Sequence, residues 1–139
     1  MQTKPVTASS AALVTYAARL VRVVTRAAAN ESPAAIRLLS ILDELGPLTV
    51  GDLAKADRTT QPTTSATVRV LEDRGLVSRL AHPHDARSAL IAPTEAGHAE
   101  LAAARARNAD VVDDLLARHD VDAETLQDVI AVLRRLTEP

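Results

Sequence analysis

Residues 49–92 read TVGDLAKADRTTQPTTSATVRVLEDRGLVSRLAHPHDARSALIA, and this stretch decides the fold. Thr49 stands where a helix cap belongs, with Asp52 three residues on as an acidic partner for the orphan N–H groups. Leu53 and Ala54 face inward, and this short helix ends near Ala56. Asp57 and Arg58 form a turn. Thr59 or Thr60 caps a second helix, and Pro62 falls in its first turn, where a missing N–H costs little. Thr64, Val68 and Leu71, at i, i+4 and i+7, give that helix one inner face. Gly75 stops it at the C′ position. Leu76–Ala81 and Ser88–Ala92 read as two strands. Between them, residues 82–87 (HPHDAR) form a turn through Pro83 and Asp85. The expectation is a helix-turn-helix followed by a two-stranded ribbon with a charged tip.

The outward face of the second helix carries Pro62, Ser65, Ala66 and Arg69. These are small or polar residues with one arginine, and such a face fits a DNA major groove. Gln61, Thr63 and Ser65 are candidate base or phosphate contacts, or else ordinary capping and surface groups. Thr60 either only caps the helix or also touches phosphate, as a cap at a helix N-terminus often does. Arg69 either reaches the groove or pairs with Asp73. Arg87 at the ribbon tip suits the minor groove, where phosphate walls focus negative potential. Asp85 is expected to orient its guanidinium through a bidentate pair. Arg79, on the first strand, joins the candidate DNA contacts. His82, His84 and Asp85 make an H-x-H-D cluster. The intervening Pro83 and the exposed setting argue against a closed metal site, so phosphate contact or plain solvation is expected and no metal.

The run LEDRGLVSR at 71–79, then HPHDARSALIAPTEAG at 82–97, resembles the MarR family of winged helix-turn-helix repressors. The resemblance covers nearly the whole chain in length and helix order, with its specific part at 71–97. It implies a mainly α (α+β) winged helix fold and assigns Asp85 to Arg87 to the wing tip. The recognition helix would be about Gln61–Asp73. At Ala66 the chain departs from the resemblance, because an arginine or larger polar residue is common there.

Composition sets the outer bounds. A chain of 139 residues fits one domain. Tyr16 is the only aromatic residue, so the core must be built from Leu, Val, Ile and Ala. There is no cysteine, which removes disulfides, thiolate metal sites and thiol-based oxidant sensing. No apolar run approaches the roughly 18 residues of a membrane span, and MQTKPVTASS lacks a signal-peptide core. A cytoplasmic location is expected. No glycine-rich phosphate loop or spaced Ser/His/Asp set is present, so neither enzyme activity nor a cofactor is expected. Net charge is −2, distributed as +2 over residues 1–49, +1 over 50–92 and −5 over 93–139. The acid lies away from the proposed DNA face. The modest +1 predicts a shallow salt slope. It also keeps open an alternative, a winged-helix protein-interaction module without specific DNA binding.

Outward from the winged part (33–92), helices are expected on both sides, at 9–30 and 94–137, with residues 1–8 mobile. Leu13, Ala17, Leu20, Val21, Val24 and Ala28 share one face of the first. Asn30 and Glu31 break it, and Ser32 caps the next helix with Pro33 at its first position. Ala35, Leu38, Leu39, Leu42 and Leu45 form that helix's inner face, ended by Gly46 and Pro47. Pro93 and Thr94 open a long helix running to about His119, roughly 39 Å at 1.5 Å per residue. It offers Leu101, Val111, Val112, Leu115 and Leu116 as partners for the last helix. Asp122 caps the last helix, whose stripe is Leu126, Val129, Ile130, Leu133 and Leu136. The terminal helices carry more apolar surface than one small domain covers, so a homodimer is expected. Two-fold symmetry would place two recognition helices roughly 34 Å apart on double-stranded DNA with a near-palindromic operator. The resemblance further implies release by a small phenolic or aromatic carboxylate. Arg19, Arg22, Arg26 and Arg37 are the candidate cations for it, and Tyr16 the only ring to stack on it. Surface or phosphate-binding roles remain open for these arginines.

Overall fold

The structure, a computed structural model, describes residues 8–30 and 32–139. The expected mobile leader falls almost wholly on residues 1–7, and the helix break partly on Glu31; both lie outside the described residues. The element order is α1 (Ala8–Ala27), α2 (Pro33–Leu45), α3 (Val50–Ala56), α4 (Gln61–Asp73), β1 (Val77–Ala81), β2 (Ala89–Pro93), α5 (Glu95–Arg118) and α6 (Ala123–Thr137). The chain forms two compact units, one of residues 29–106 and one of 1–28 with 107–139, and α5 contributes to both.

The unit of residues 29–106 holds the winged helix. Its core joins Ala35, Leu38, Leu39 and Leu42 of α2, Leu53 of α3, Val68 and Leu71 of α4, Leu76, Val77, Ile91 and Leu101. Burying aliphatic side chains at helical period on three short helices pins them against one another. Local chemistry sets the boundaries. Thr49 accepts the Asp52 N–H at 3.1 Å, and Ser32 accepts the Ala35 N–H at 3.3 Å. Gly46 and Gly75, at φ +81° and +70°, take the left-handed conformations that end α2 and precede β1. Leu45, the last residue of α2, departs from expectation: it is 58% exposed and lies outside the core.

β1 and β2 pair antiparallel, with Arg79 opposite Ile91 and Ala81 opposite Ala89. Each strand starts one residue later than expected. Leu76 is spent on the turn, donating its N–H to the Leu71 carbonyl at 2.9 Å. The sheet also gains an edge contact that local sequence does not reveal. Leu48 exchanges two backbone hydrogen bonds with Ile91, at 2.7 and 3.2 Å, tying the entry to α3 onto β2.

In the other unit, α1 and α6 leave much of their apolar surface uncovered. Val24 is its one buried hydrophobic residue among the described residues, while Leu13, Leu20, Val21, Val129, Leu133 and Leu136 are exposed. Leu13, Tyr16, Ala17, Leu20, Val129 and Leu133 line an apolar groove of about 570 Å³ between the two helices. Asp122 caps α6 by accepting the Thr125 N–H at 2.7 Å. Among the described residues, no helix is long and apolar enough to cross a membrane.

Candidate nucleic-acid interface

The two elements that could reach a duplex both belong to the winged unit. α4 begins at Thr60, whose Oγ1 accepts the Thr63 N–H at 3.3 Å and whose hydroxyl donates to Thr63 Oγ1 at 2.8 Å. Its buried face is Thr64, Val68 and Leu71. Gln61, Pro62, Thr63, Ala66 and Arg69 are therefore exposed on the other side, with Ser65 half-buried at the edge. The exposed N-terminal turn holds no bulky apolar side chain. Among the described residues, Arg69 forms no ion pair with Asp73 or any other acid.

The turn before α4 is clamped from behind. Arg37 of α2 donates Nε to Asp57 Oδ1 and Nη2 to Asp57 Oδ2, the latter at 3.1 Å. The Asp57 side chain is 3% exposed. Hydrogen bonding to this carboxylate holds the Arg37 guanidinium above the ordinary arginine range, against the opposing effect of desolvation. Arg58 follows at φ +55°, exposed and without an ion pair among the described residues. Sequence reasoning places it only in the turn. The signal in the sequence is a cation standing between a helix stop and the next cap, beside the candidate recognition helix.

Arg79 is exposed on β1, but its fork is occupied: Nε and Nη2 meet Glu72 Oε1 and Oε2 at 2.6 and 3.2 Å. The bidentate pair links the ribbon to α4, the two candidate DNA-reading elements.

At the ribbon tip one expectation is corrected. Asp85 does not hold the Arg87 guanidinium. Its Oδ1 accepts the Arg87 backbone N–H at 2.9 Å, and its Oδ2 accepts the Ser88 hydroxyl at 3.2 Å. A short aspartate side chain meets the N–H two residues on before it meets a long guanidinium. The Arg87 side chain is left exposed and, among the described residues, without an ion pair. His82 is also turned inward to the tip's backbone: its Nδ1 accepts the N–H groups of His84 and Asp85, both at 3.1 Å.

The candidate effector cations separate into two groups. Arg19, Arg22 and Arg26 of α1 line one groove of about 720 Å³ with Val23, Thr25 and Ala27. Tyr16 lies beside them, with the Arg19 guanidinium 5.0 Å from its ring centroid. Arg37 belongs to the winged unit, where Asp57 already takes its fork.

Comparison with known proteins agrees with this architecture. An HTH-type transcriptional regulator of Mycobacterium leprae is 32% identical over 113 residues, 78% of each chain. Wild-type MarR from E. coli in its apo form shares the fold with a TM-score of 0.72 at 19% identity, over 90% of this chain and 96% of that one. A point mutant of S. aureus MepR, bound to an oligodeoxyribonucleotide, superposes with a TM-score of 0.63 at 21% identity, over 94% and 96%. The sequence model of the MarR family matches residues 32–89, the span from the cap of α2 to the start of β2. The chain belongs to the MarR family, and it is a transcriptional regulator.

Proposed function

We propose that this regulator is a homodimeric, sequence-specific DNA-binding repressor of a near-palindromic operator, released by a small aromatic carboxylate. The observation that carries it is the wing tip, where the Arg87 backbone is pinned by Asp85 while its guanidinium stays exposed. A pre-positioned cation on a slender ribbon is suited to a minor groove. α4 supplies the major-groove element. Arg69 is its one long cation, Ala66 and Ser65 permit close approach, and Thr60, Gln61 and Thr63 stand at the helix N-terminus, where phosphate is favoured. Arg58 adds a phosphate contact from the turn. Arg79 acts through Glu72 by fixing the ribbon against α4.

The exposed apolar surface of α1 and α6 supports the dimer. A two-fold pair places two recognition helices about 34 Å apart, one turn of duplex. For the effector, Arg19, Arg22 and Arg26 supply the cations and Tyr16 the ring. Asp57 already neutralises Arg37. A ligand that prefers a helix spacing unfit for the groove weakens DNA binding by its differential affinity. The reading carries with it a cytoplasmic location.

The competing reading is a winged helix that docks a protein. It draws on exposed Val70 and Leu80 and on the modest charge of residues 50–92. A salt-titrated gel shift on the DNA upstream of the gene separates the two. Arg87→Ala and Arg69→Ala are expected to weaken binding about tenfold or more with the dimer intact, on the scale of one lost groove contact. No shift at any salt concentration would exclude the DNA reading, and unchanged shifts in both variants would remove Arg87 and Arg69 from the interface. Calorimetry with salicylate tests the effector: heat lost in Arg22→Ala/Arg26→Ala supports it, and no heat in the wild type refutes this assignment.

A further inference from the structure

The wing tip is folded by two side-chain acceptors working in series. His82 Nδ1 takes the N–H groups of His84 and Asp85, which fixes the backbone at Asp85. The Asp85 carboxylate then takes the N–H of Arg87 and the hydroxyl of Ser88. Pro83 lies inside the first of these loops, with φ preset and no N–H of its own to compete for the imidazole. The two acceptors differ in one respect. A carboxylate accepts throughout the neutral range, whereas a histidine accepts at Nδ1 only while that nitrogen carries no proton; in the imidazolium both nitrogens donate.

Resting on the DNA-binding reading above, we propose that His82 is a positioning residue for operator binding. Its neutral imidazole holds the tip in the shape that presents Arg87, and protonation releases the tip and lowers affinity. The groups around it are His84, with its ring edge-on at a centroid distance of 6.3 Å, and Asp85 and Arg87 of the same turn. The cation on β1, Arg79, is held by Glu72 of α4. A histidine that merely touched phosphate would act with the opposite sign, because added positive charge tightens binding as pH falls. The direction of the pH dependence therefore separates a folding role from direct contact.

The test is the affinity for upstream DNA at constant ionic strength, from about pH 8 to about pH 5.5, across the ordinary imidazole range. Asparagine places Oδ1 one bond from Cγ, as histidine places Nδ1, and accepts at every pH. The wild type is expected to weaken about tenfold on acidification, the scale of two lost hydrogen bonds. His82→Asn binds like the wild type at the alkaline end and stays flat, His84→Asn follows the wild type, and His82→Leu is weak throughout. A wild type that tightens with acid overturns the proposal, as does a His82→Asn variant that keeps the wild-type slope. In DNA-free protein, the amide resonances of His84 and Asp85 should titrate together with the His82 ring and cease to do so in His82→Asn. Amides insensitive to pH would refute the tip-folding role. If the amides titrate as expected while the wild type binds no upstream DNA at any pH, the DNA reading has failed and the imidazole cap stands.

Discussion

Gly97, in the first turn of α5, lies so close to Leu76 that a β-carbon added to it would collide with the Leu76 carbonyl oxygen and stand 3.4 Å from Leu39 Cδ2. Two hydrogen bonds seal the same joint. The Thr94 hydroxyl donates to the Gly75 carbonyl at 2.6 Å, and the Thr94 N–H donates to the Leu76 carbonyl at 3.0 Å. The exit of α4 and the entry of α5 are thus one rigid corner, with backbone rather than a flexible side chain in the way. Gly97→Ala is expected to destabilise the protein by at least about 3 kcal/mol, the upper range for overpacking a core. Urea unfolding measures it, and a loss under about 1 kcal/mol would show that the corner yields.

Thr64 is 1% exposed in the inner face of α4, and its Oγ1 has no hydrogen-bond partner among the described residues. A buried hydroxyl without a partner forfeits its hydration and gains nothing in return. Valine has nearly the same shape and no hydroxyl. Thr64→Val is expected to raise stability by about 1 kcal/mol while leaving DNA affinity unchanged. A decrease in the urea midpoint would mean that the hydroxyl is satisfied in solution.

What the sequence discloses about this fold is local. Thr49, Thr60 and Asp122 each cap a helix through an N–H three residues on; residue type with spacing finds Thr49 and Asp122 and narrows the third to Thr59 or Thr60. The buried trio Thr64, Val68 and Leu71 follows from helical period alone. The interactions that join elements are not local. Leu48 meets Ile91, Arg37 meets Asp57 and Gly97 meets Leu76, each across at least 20 residues of chain. Nothing in either partner's neighbourhood names the other. At the candidate site, the exposure of Arg87 and of the outward face of α4 is legible from position and residue type. The engagement of Arg79 by Glu72 is not, because it depends on how the ribbon folds back over α4. The inward turn of His82 escapes the sequence for a different reason: an exposed histidine is read by its charge, and here it works as an acceptor.

Arg37 and Asp57 form a pair whose two ends differ in exposure, the guanidinium side chain at 54% and the carboxylate at 3%. Removing the arginine strands a buried carboxylate, which costs more than losing a surface pair, though solvent around the guanidinium screens part of it. Arg37→Ala is expected to lose about 1 kcal/mol. A double-mutant cycle with Asp57→Ala should return most of that as coupling, whereas the exposed Lys55 and Asp52, 3.9 Å apart, should show almost none. Because the folded arginine sits above its ordinary range, the contribution is complete below that range and is lost only above it. The coupling should therefore be the same at neutral and mildly acidic pH, and equal coupling in the two pairs would contradict this account.

Asp122 behaves in the opposite sense. Its hydrogen bonds from Thr125 lower the folded carboxyl below the ordinary aspartate value. A group with a depressed folded pKa stabilises above its unfolded value and loses that contribution as pH falls through the folded one. Protection of the Thr125 amide against hydrogen exchange should be full at neutral pH. It should decline only on acidification below the ordinary aspartate range. Asp122→Asn keeps an acceptor and should flatten that decline, while Asp122→Ala should lose the protection at every pH. Protection unchanged in the alanine variant would show that α6 does not depend on this cap.

Leu133 and Leu136 lie one turn apart on α6, 38% and 65% exposed, and Leu20 of α1 is 51% exposed. Burying the surface such a side chain still exposes is worth about 1 kcal/mol, a part of what full burial gives, and a charge at that position removes the gain and adds a desolvation cost. Leu133→Asp is expected to convert the proposed dimer into a monomer in sedimentation at micromolar concentration. Operator affinity should fall at least about a hundredfold, since one winged unit then binds without the other. The core of residues 29–106 does not include Leu133. Hydrogen-exchange protection at Leu39, Leu53 and Val68 should therefore persist in the variant. Loss of that protection would mean that the substitution unfolds the chain, and a second variant, Leu20→Asp, would then carry the test. A wild-type protein that sediments as a monomer would remove the basis for a two-fold operator.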